Sequence, residues 1–254
     1  MSGHGYDKTI KVMMHDFVKG KLKPDQVVTS KQIVEWFRQN YPNVKSSSVR
    51  AHLISMTTNA KSRIHHNVKP GSGHDLFFQI DSSTFRMYDQ EKDPAPFYKK
   101  NDIDQNNIEE DEDNDLEYSL EKFREFTYEK DLRNFLVKNL DLIEPGLHLY
   151  ENEGITGIEY PVGNRFVDIL SVDKDNSLIV IELKVSKGYE RVIGQILRYL
   201  AWIEKNLAEE NQKVRGIIIA RKITEDLILA CSKIPDVELM EYELAVSIKK
   251  LKSN

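Results

Sequence analysis

The sequence predicts two domains of mixed α+β / α/β class: a helix-turn-helix unit with a β-hairpin, then a mixed sheet flanked by helices. Three observations predict this. Three helical patterns and a hairpin pattern precede residue 100, an acidic break follows at 101–118, and strand and helix patterns alternate beyond it. The 254 residues suffice for two modest domains with buried cores. The longest apolar runs, such as Leu178 to Ile181, are far shorter than the roughly 18 residues of a membrane helix. With no hydrophobic leader at the N-terminus, a membrane partner is not expected. The single cysteine, Cys231, can form neither an internal disulfide nor a cysteine-based zinc site, so a cytoplasmic location is expected.

The first helix is predicted over 6–18, where Ile10, Met14 and Phe17 recur at helical spacing. The second starts at Thr29, which makes a capping box with Gln32 ahead of Ile33, Val34, Trp36 and Phe37. After the turn Asn40-Tyr41-Pro42-Asn43, a third helix opens at the serines of 46–48 and turns Val49, Leu53 and Met56 to one face. Its other face carries Ser47, Ser48, Arg50, His52 and Ser55, a polar surface of the kind a recognition helix offers to a major groove. Strands are predicted over 75–80 and 84–88, joined by Asp81-Ser82-Ser83. Three helices and a hairpin are the order of a winged helix. Between third helix and hairpin, Lys61, Arg63, His65, His66 and Lys69 form a basic stretch suited to phosphate contacts. The double-stranded-DNA-binding candidates are therefore Lys45, Ser47, Ser48, Arg50, His52, Lys61, Arg63, His65 and Lys69.

Charge is segregated along the chain. The net charge of −5 combines +7 over 1–100, nine acidic and no basic residues over 101–118, and −3 over 119–254. The middle stretch, with Glu109-Glu110-Asp111-Glu112-Asp113-Asn114-Asp115, repels itself and lacks an apolar face, so it reads as a linker between domains 1–100 and 119–254. A sharper reading makes it a nucleic-acid mimic that shields a basic surface.

Beyond Ser119 a helix containing Leu120, Phe123, Phe126, Glu129, Leu132 and Leu136 is followed by short strands over 147–162. Strands 165–172 and 177–184 then pair about the turn Asp173-Lys174-Asp175-Asn176. Alternation puts Leu178, Val180, Glu182 and Lys184 on one face, with the Glu182 and Lys184 side chains emerging about 6.6 Å apart. Asp168 stands between Val167 and Ile169, where an uncompensated buried carboxylate costs several kcal/mol. A divalent metal such as Mg²⁺, for which Mn²⁺ substitutes, favours both charged carboxylates at once and suits phosphodiester hydrolysis. A lysine two residues beyond the second carboxylate can hold the attacking water and the phosphate. The helix over 189–207 aligns Val192, Ile193, Ile196 and Leu200 on its apolar face, and Arg191, Gln195 and Tyr199 at four-residue spacing on another. Strand 215–220, helix 224–233 and strand 237–242 complete the order.

Two resemblances attach to these residues. Ser47-Ser48-Val49-Arg50, Asn59-Ala60-Lys61-Ser62-Arg63 and Phe85-Arg86-Met87-Tyr88-Asp89 resemble a winged-helix module that accompanies restriction-endonuclease-type catalytic domains, over residues 25–90. Asp168 followed by Glu182-Leu183-Lys184 resembles the signature of the PD-(D/E)XK nucleases. In detail, Ile143-Glu144-Pro145-Gly146-Leu147, Val167-Asp168-Ile169-Leu170, Ile181-Glu182-Leu183-Lys184 and Gln195-Ile196-Leu197-Arg198-Tyr199 are similar to the catalytic domain of NucS-type endonucleases, over residues 123–222. The resemblance implies that Asp168, Glu182 and the Leu183 carbonyl ligate the metal and that Lys184 orients the water. Glu129, Gln195 and Tyr199 would support the metal shell and the scissile phosphate. The chain departs from that family in having a winged helix where NucS has a β-rich dimerisation domain, and Val167-Asp168 where the motif has Pro-Asp. The implied function is a Mg²⁺-dependent, sequence-specific double-stranded DNA endonuclease of the type II restriction kind, acting as a homodimer. The alternatives are a repair or modification-dependent endonuclease with NucS-like mismatch cleavage, and a catalytically dead DNA-binding regulator.

Overall fold

In the computed structural model, which describes residues 4–99, 102, 129–163, 165–184 and 190–244 (Glu190 by its backbone alone), the capping box at Thr29 is formed. Thr29 Oγ1 accepts from the Gln32 N–H at 3.2 Å, and Gln32 Oε1 accepts from the Thr29 N–H at 2.8 Å. Most of the acidic linker, the start of the helix predicted from Ser119 with Leu120, Phe123 and Phe126, and Tyr189 lie outside the described residues.

The N-terminal unit runs α1 (Ile10–Lys21), β1 (Val28–Thr29), α2 (Ser30–Asn40), α3 (Ser46–Ser55), β2 (Phe77–Gln79) and β3 (Thr84–Met87). Helix α1 starts four residues later than its apolar spacing alone implies, because the Thr9 hydroxyl caps the Val12 N–H. The three strands make an antiparallel sheet in the order β1-β3-β2. Its hairpin is tied by Asp81, whose Oδ1 accepts from the N–H groups of Ser83 and Thr84 at 2.8 and 2.9 Å. Met13, Met14, Ile33, Phe37, Val49, Leu53, Met56 and Phe77 form its core.

The C-terminal unit is a sheet in the order β11-β10-β9-β8-β4, with β7 also paired to β8. Its strands are β4 (His148–Leu149), β7 (Ile158–Val162), β8 (Arg165–Val172), β9 (Leu178–Lys184), β10 (Val214–Ala220) and β11 (Val237–Glu241). A small hairpin of β5 (Glu151–Asn152) and β6 (Ile155–Thr156) stands apart from it. Strands β9, β10 and β11 run parallel, while β4, β7 and β9 each run antiparallel to β8. Strand β9 is buried from Leu178 to Leu183, and its alternation feeds two separate cores. Leu178 and Val180 pack with Val192, Ile196, Tyr199 and Ile203 of helix α5 (Glu190–Asn206). Ile179, Ile181 and Leu183 pack with Leu132 and Leu136 of the helix over 129–137, labelled α4. Helix α6 (Glu225–Cys231) leads into β11.

The two units touch through α3. Ala51 lies in the same core as Tyr160, Val162 and Val192 of the C-terminal unit. Ser47 Oγ donates to the Asn206 carbonyl at 2.7 Å, one of the orphan acceptors at the end of α5. The Lys45 ammonium donates to the carbonyls of Leu207 and Ala208. Helix α3 is thus covered on both faces, by its own unit and by the other.

Candidate active site

The ladder between β8 and β9 stops at the pair Ile169–Ile181. One residue further along, the Asp168 side chain takes over: its Oδ2 accepts from the Leu183 N–H at 2.9 Å. A carboxylate thus stands where a backbone carbonyl would otherwise pair, and the two strands part around it. On its other side β9 stays paired to β10 up to Lys184–Ala220, so Glu182 and Lys184 are held rigidly beside the opening. Glu182 is 1% exposed, and its Oε1 accepts from Lys184 Nζ at 2.7 Å. Its Oε2 is buried with no hydrogen-bond partner among the described residues. On α5, Gln195 Nε2 donates to the Tyr199 hydroxyl at 3.2 Å.

The electrostatics tie these groups together. Burial, and then the neighbouring Asp168 charge, push the Glu182 carboxyl up to about 8, with Glu129 adding to the rise and Lys184 opposing it. Burial raises the Asp168 carboxyl too, against the pull of the Leu183 N–H, Lys184 and Arg133. Burial would lower the Lys184 amine, but Glu182, Asp168 and Glu129 together hold it above its ordinary value. The Tyr199 phenol is raised by burial, with Glu182 and Asp168 contributing. Asp168, Glu182, Lys184, Glu129 and Tyr199 therefore share one field, and Gln195 is bonded to the last of them.

Two residues that the sequence reading passed over lie beside them. Arg133, one helical turn after Glu129, is 6% exposed and bonds Glu159 Oε1 through Nη1 at 2.7 Å. Glu159 Oε2 faces His65 Nε2 of the N-terminal unit at 3.5 Å. Burial alone would raise the Glu159 carboxyl, yet His65 and Arg133 bring it down to about 2. The signal for Glu159 was present in the sequence: like Asp168, it is a carboxylate in an otherwise apolar strand.

The expected DNA-reading face is placed differently from its prediction. Ser47, Ser48 and His52 are 0%, 8% and 3% exposed, because that side of α3 packs on the C-terminal unit. His52 Nδ1 bonds the Ser48 carbonyl at 2.9 Å and its Nε2 faces Glu153 at 3.6 Å. Arg63 is fully buried, paired with Asp75 and stacked over the Tyr98 ring. His65 is engaged with Glu159, and Lys45 with the end of α5. Of the predicted contacts, Lys45, Lys61 and Lys69 stay exposed, Lys45 with its ammonium bonded to the end of α5, and Arg50 is half-buried. Arg50 and Lys61 line an open cleft of about 300 Å³ between the units, with Gln79 and Ser82 of the hairpin on one wall and Glu159 and Phe166 on the other.

The donor set suits a hard divalent cation. Two oxygen-bearing side chains, one with an unsatisfied buried oxygen, converge on the gap between the strands. Among the described residues no three His, Cys, Asp or Glu side chains group closely enough to enclose an ion alone. No described helix is long and apolar enough to cross a membrane.

Comparison with known proteins finds a family match for each unit. Residues 9–87 match a family described as a domain of unknown function (DUF7669), and residues 128–243 match the endonuclease NucS C-terminal domain. Endonuclease NucS of Pyrococcus abyssi is 32% identical over 98 residues, 38% of this chain and 35% of that protein. Endonuclease NucS of Methanocaldococcus jannaschii is 30% identical over 96 residues, 38% of this chain and 34% of that protein. The chain thus spans about a third of the length of these curated relatives. Among solved structures, a repair endonuclease from Pyrococcus abyssi aligns at 26% identity and TM-score 0.39, covering 53% of this chain and 50% of that one. A structure of an EndoMS-dsDNA2 complex aligns at 24% identity and TM-score 0.39, covering 47% and 46%. Over residues 128–243 the chain is therefore similar to the C-terminal domain of endonuclease NucS.

Proposed function

We propose that the protein is a divalent-metal-dependent DNA endonuclease of the repair type. The observation that carries this is the pair Asp168 and Glu182 brought together where β8 and β9 part, with Lys184 bonded to the second carboxylate and one Glu182 oxygen unsatisfied. Asp168, Glu182 and the Leu183 carbonyl would hold the cation, and Mg²⁺ is the ion this oxygen set favours, with Mn²⁺ as its substitute. When bound, the cation supplies polarisation of the phosphate, an acidified water and charge for the transition state. Lys184 Nζ orients the water and donates to a phosphate oxygen, Tyr199 and Gln195 hold the scissile phosphate, and Glu129 supports the water shell. One water is consumed: its oxygen bonds phosphorus, one phosphate ester bond breaks, and the departing oxygen leaves as a hydroxyl.

The N-terminal unit is read as a winged helix that brings the duplex to this site. With much of its α3 face packed internally, Arg50, Lys61 and Lys69 become the DNA-contacting cations, and Arg50 and Lys61 track the backbone along the cleft. The resemblance to NucS-type endonucleases favours the repair-type alternative over a fixed restriction sequence. The test is incubation of the purified protein with matched, mismatched and branched duplexes and unmethylated plasmid, in Mg²⁺ or EDTA, beside Glu182→Ala. Mg²⁺-dependent cutting of the mismatched or branched duplexes, absent from Glu182→Ala, is the expected result. Discrete plasmid fragments would restore the restriction reading with its homodimer. Retained DNA binding with no cutting of any substrate would mean a DNA-binding regulator instead.

A further inference from the structure

The bridge formed by His65, Glu159 and Arg133 joins the two units at the strand next to the candidate site. We propose that Glu159 is a positioning residue that couples the docked N-terminal unit to the strand carrying Asp168, so that cleavage depends on that docking. The inference rests on the nuclease reading given above for its consequence, though not for the coupling itself.

Four observations support it. The register pairs Ile158 with Ile169 and Tyr160 with Val167, which leaves Glu159 and Asp168 as the intervening residues on the two neighbouring strands. Glu159 has φ of 47°, a left-handed conformation that a residue with a Cβ adopts at a cost and keeps only where its surroundings hold it. What holds it is visible on both sides. Arg133 bonds one carboxylate oxygen at 2.7 Å, and His65 faces the other at 3.5 Å. The His65 turn is itself fixed to the C-terminal unit: Thr156 Oγ1 donates to the His65 carbonyl at 2.7 Å and the Asn67 N–H to the Gly154 carbonyl at 2.9 Å.

The segment also has no slack to absorb the loss of these partners. A Cβ on Gly157 would meet the Leu170 carbonyl oxygen at 1.9 Å, so the start of β7 lies directly on the backbone of β8. Arg133 Nε and Nη2 are buried with no hydrogen-bond partner among the described residues, so Glu159 is the carboxylate bonded directly to this guanidinium, which also acts through space on Asp168. Removing the His65 arm frees one oxygen of Glu159 to turn toward Arg133. The strained residue then relaxes, and β7 shifts against Asp168.

The test uses the full chain and the variants His65→Ala, Glu159→Gln and their double. Cleavage is read as kcat and KM separately, and amide exchange is followed at residues 167–169. Each single variant is expected to lower kcat about tenfold with KM within about twofold, the size of a typical coupling between sites. The double variant is expected to match Glu159→Gln alone, since both arms act through one carboxylate. Exchange at 167–169 should rise in His65→Ala. Arg133→Lys should retain more activity than Arg133→Gln. Parental kcat in His65→Ala, effects that multiply in the double variant, or parental exchange at 167–169 would overturn the coupling. A parent that cuts no DNA would sink the nuclease reading, while the exchange measurement still decides the coupling.

Discussion

Glu159, half-buried on β7, and Glu182, buried on β9, both belong to strands that pair with β8, and they are pushed in opposite directions. Glu159 falls to about 2, because His65 and Arg133 outweigh the cost of its burial. Glu182 rises to about 8, because burial and Asp168 outweigh Lys184. The protein supplies full compensation for the first and leaves an oxygen of the second unsatisfied. A buried charge that is matched internally is architecture. One that keeps an unsatisfied oxygen beside a second carboxylate, at a break in a strand ladder, is a place for something from outside.

The sharpest way to break this contrast is to truncate each carboxylate. Glu182→Ala should reduce Mg²⁺-dependent cleavage by at least about 10³-fold, the effect of removing several kcal/mol of transition-state stabilisation, with DNA binding within a few-fold of the parent. A gel assay with parallel binding isotherms checks both. Equal cleavage would remove Glu182 from the site.

Glu159→Gln should instead show in stability against pH. The folded carboxyl titrates near 2 and its ordinary value is 4.5, so its ionised form contributes stability above 4.5 that is lost as pH falls through 2. Acid unfolding of the parent should be steeper in that window than that of Glu159→Gln, with a difference on the order of a few kcal/mol. Superimposable acid curves would mean that Glu159 is not compensated as described.

Smaller effects sharpen the contrast between the packed face of α3 and the cleft beside it. Arg50→Ala and Lys61→Ala should each reduce the slope of log affinity against log salt by about 1, whereas Ser48→Ala should leave it unchanged. Ser47→Ala should cost about 1 kcal/mol in a denaturant melt, the worth of its hydroxyl bond to the end of α5. A salt slope moved by Ser48→Ala would return the buried face of α3 to the DNA surface.

Much of this was legible in the sequence, and the gaps have physical causes. The Thr29 and Gln32 capping box, the hairpin at Asp81 and the pairing of β8 with β9 all follow from local rules, and local rules held. Alternation along β9 correctly set Glu182 and Lys184 on one face. The role of α3 was misjudged, because a helix that shows serines and a histidine opposite its apolar stripe looks solvent-facing when read alone. Those small polar side chains fit a second unit instead, where Ser47 satisfies a carbonyl at the end of α5 and Ala51 enters a core. Which surface covers a helix is a tertiary fact that periodicity does not encode. Arg133 and Glu159 were missed for a related reason: their meaning depends on His65, some 70 to 90 positions away in the chain and in the other unit.

Glu182, whose second oxygen has no partner among the described residues, is the carboxylate that awaits a cation, and calorimetric titration of Mn²⁺ into the DNA-free protein tests this most directly. The parent should bind Mn²⁺ at a site that Glu182→Gln lacks, while Glu159→Gln retains it. Equal Mn²⁺ binding by the parent and Glu182→Gln would contradict it.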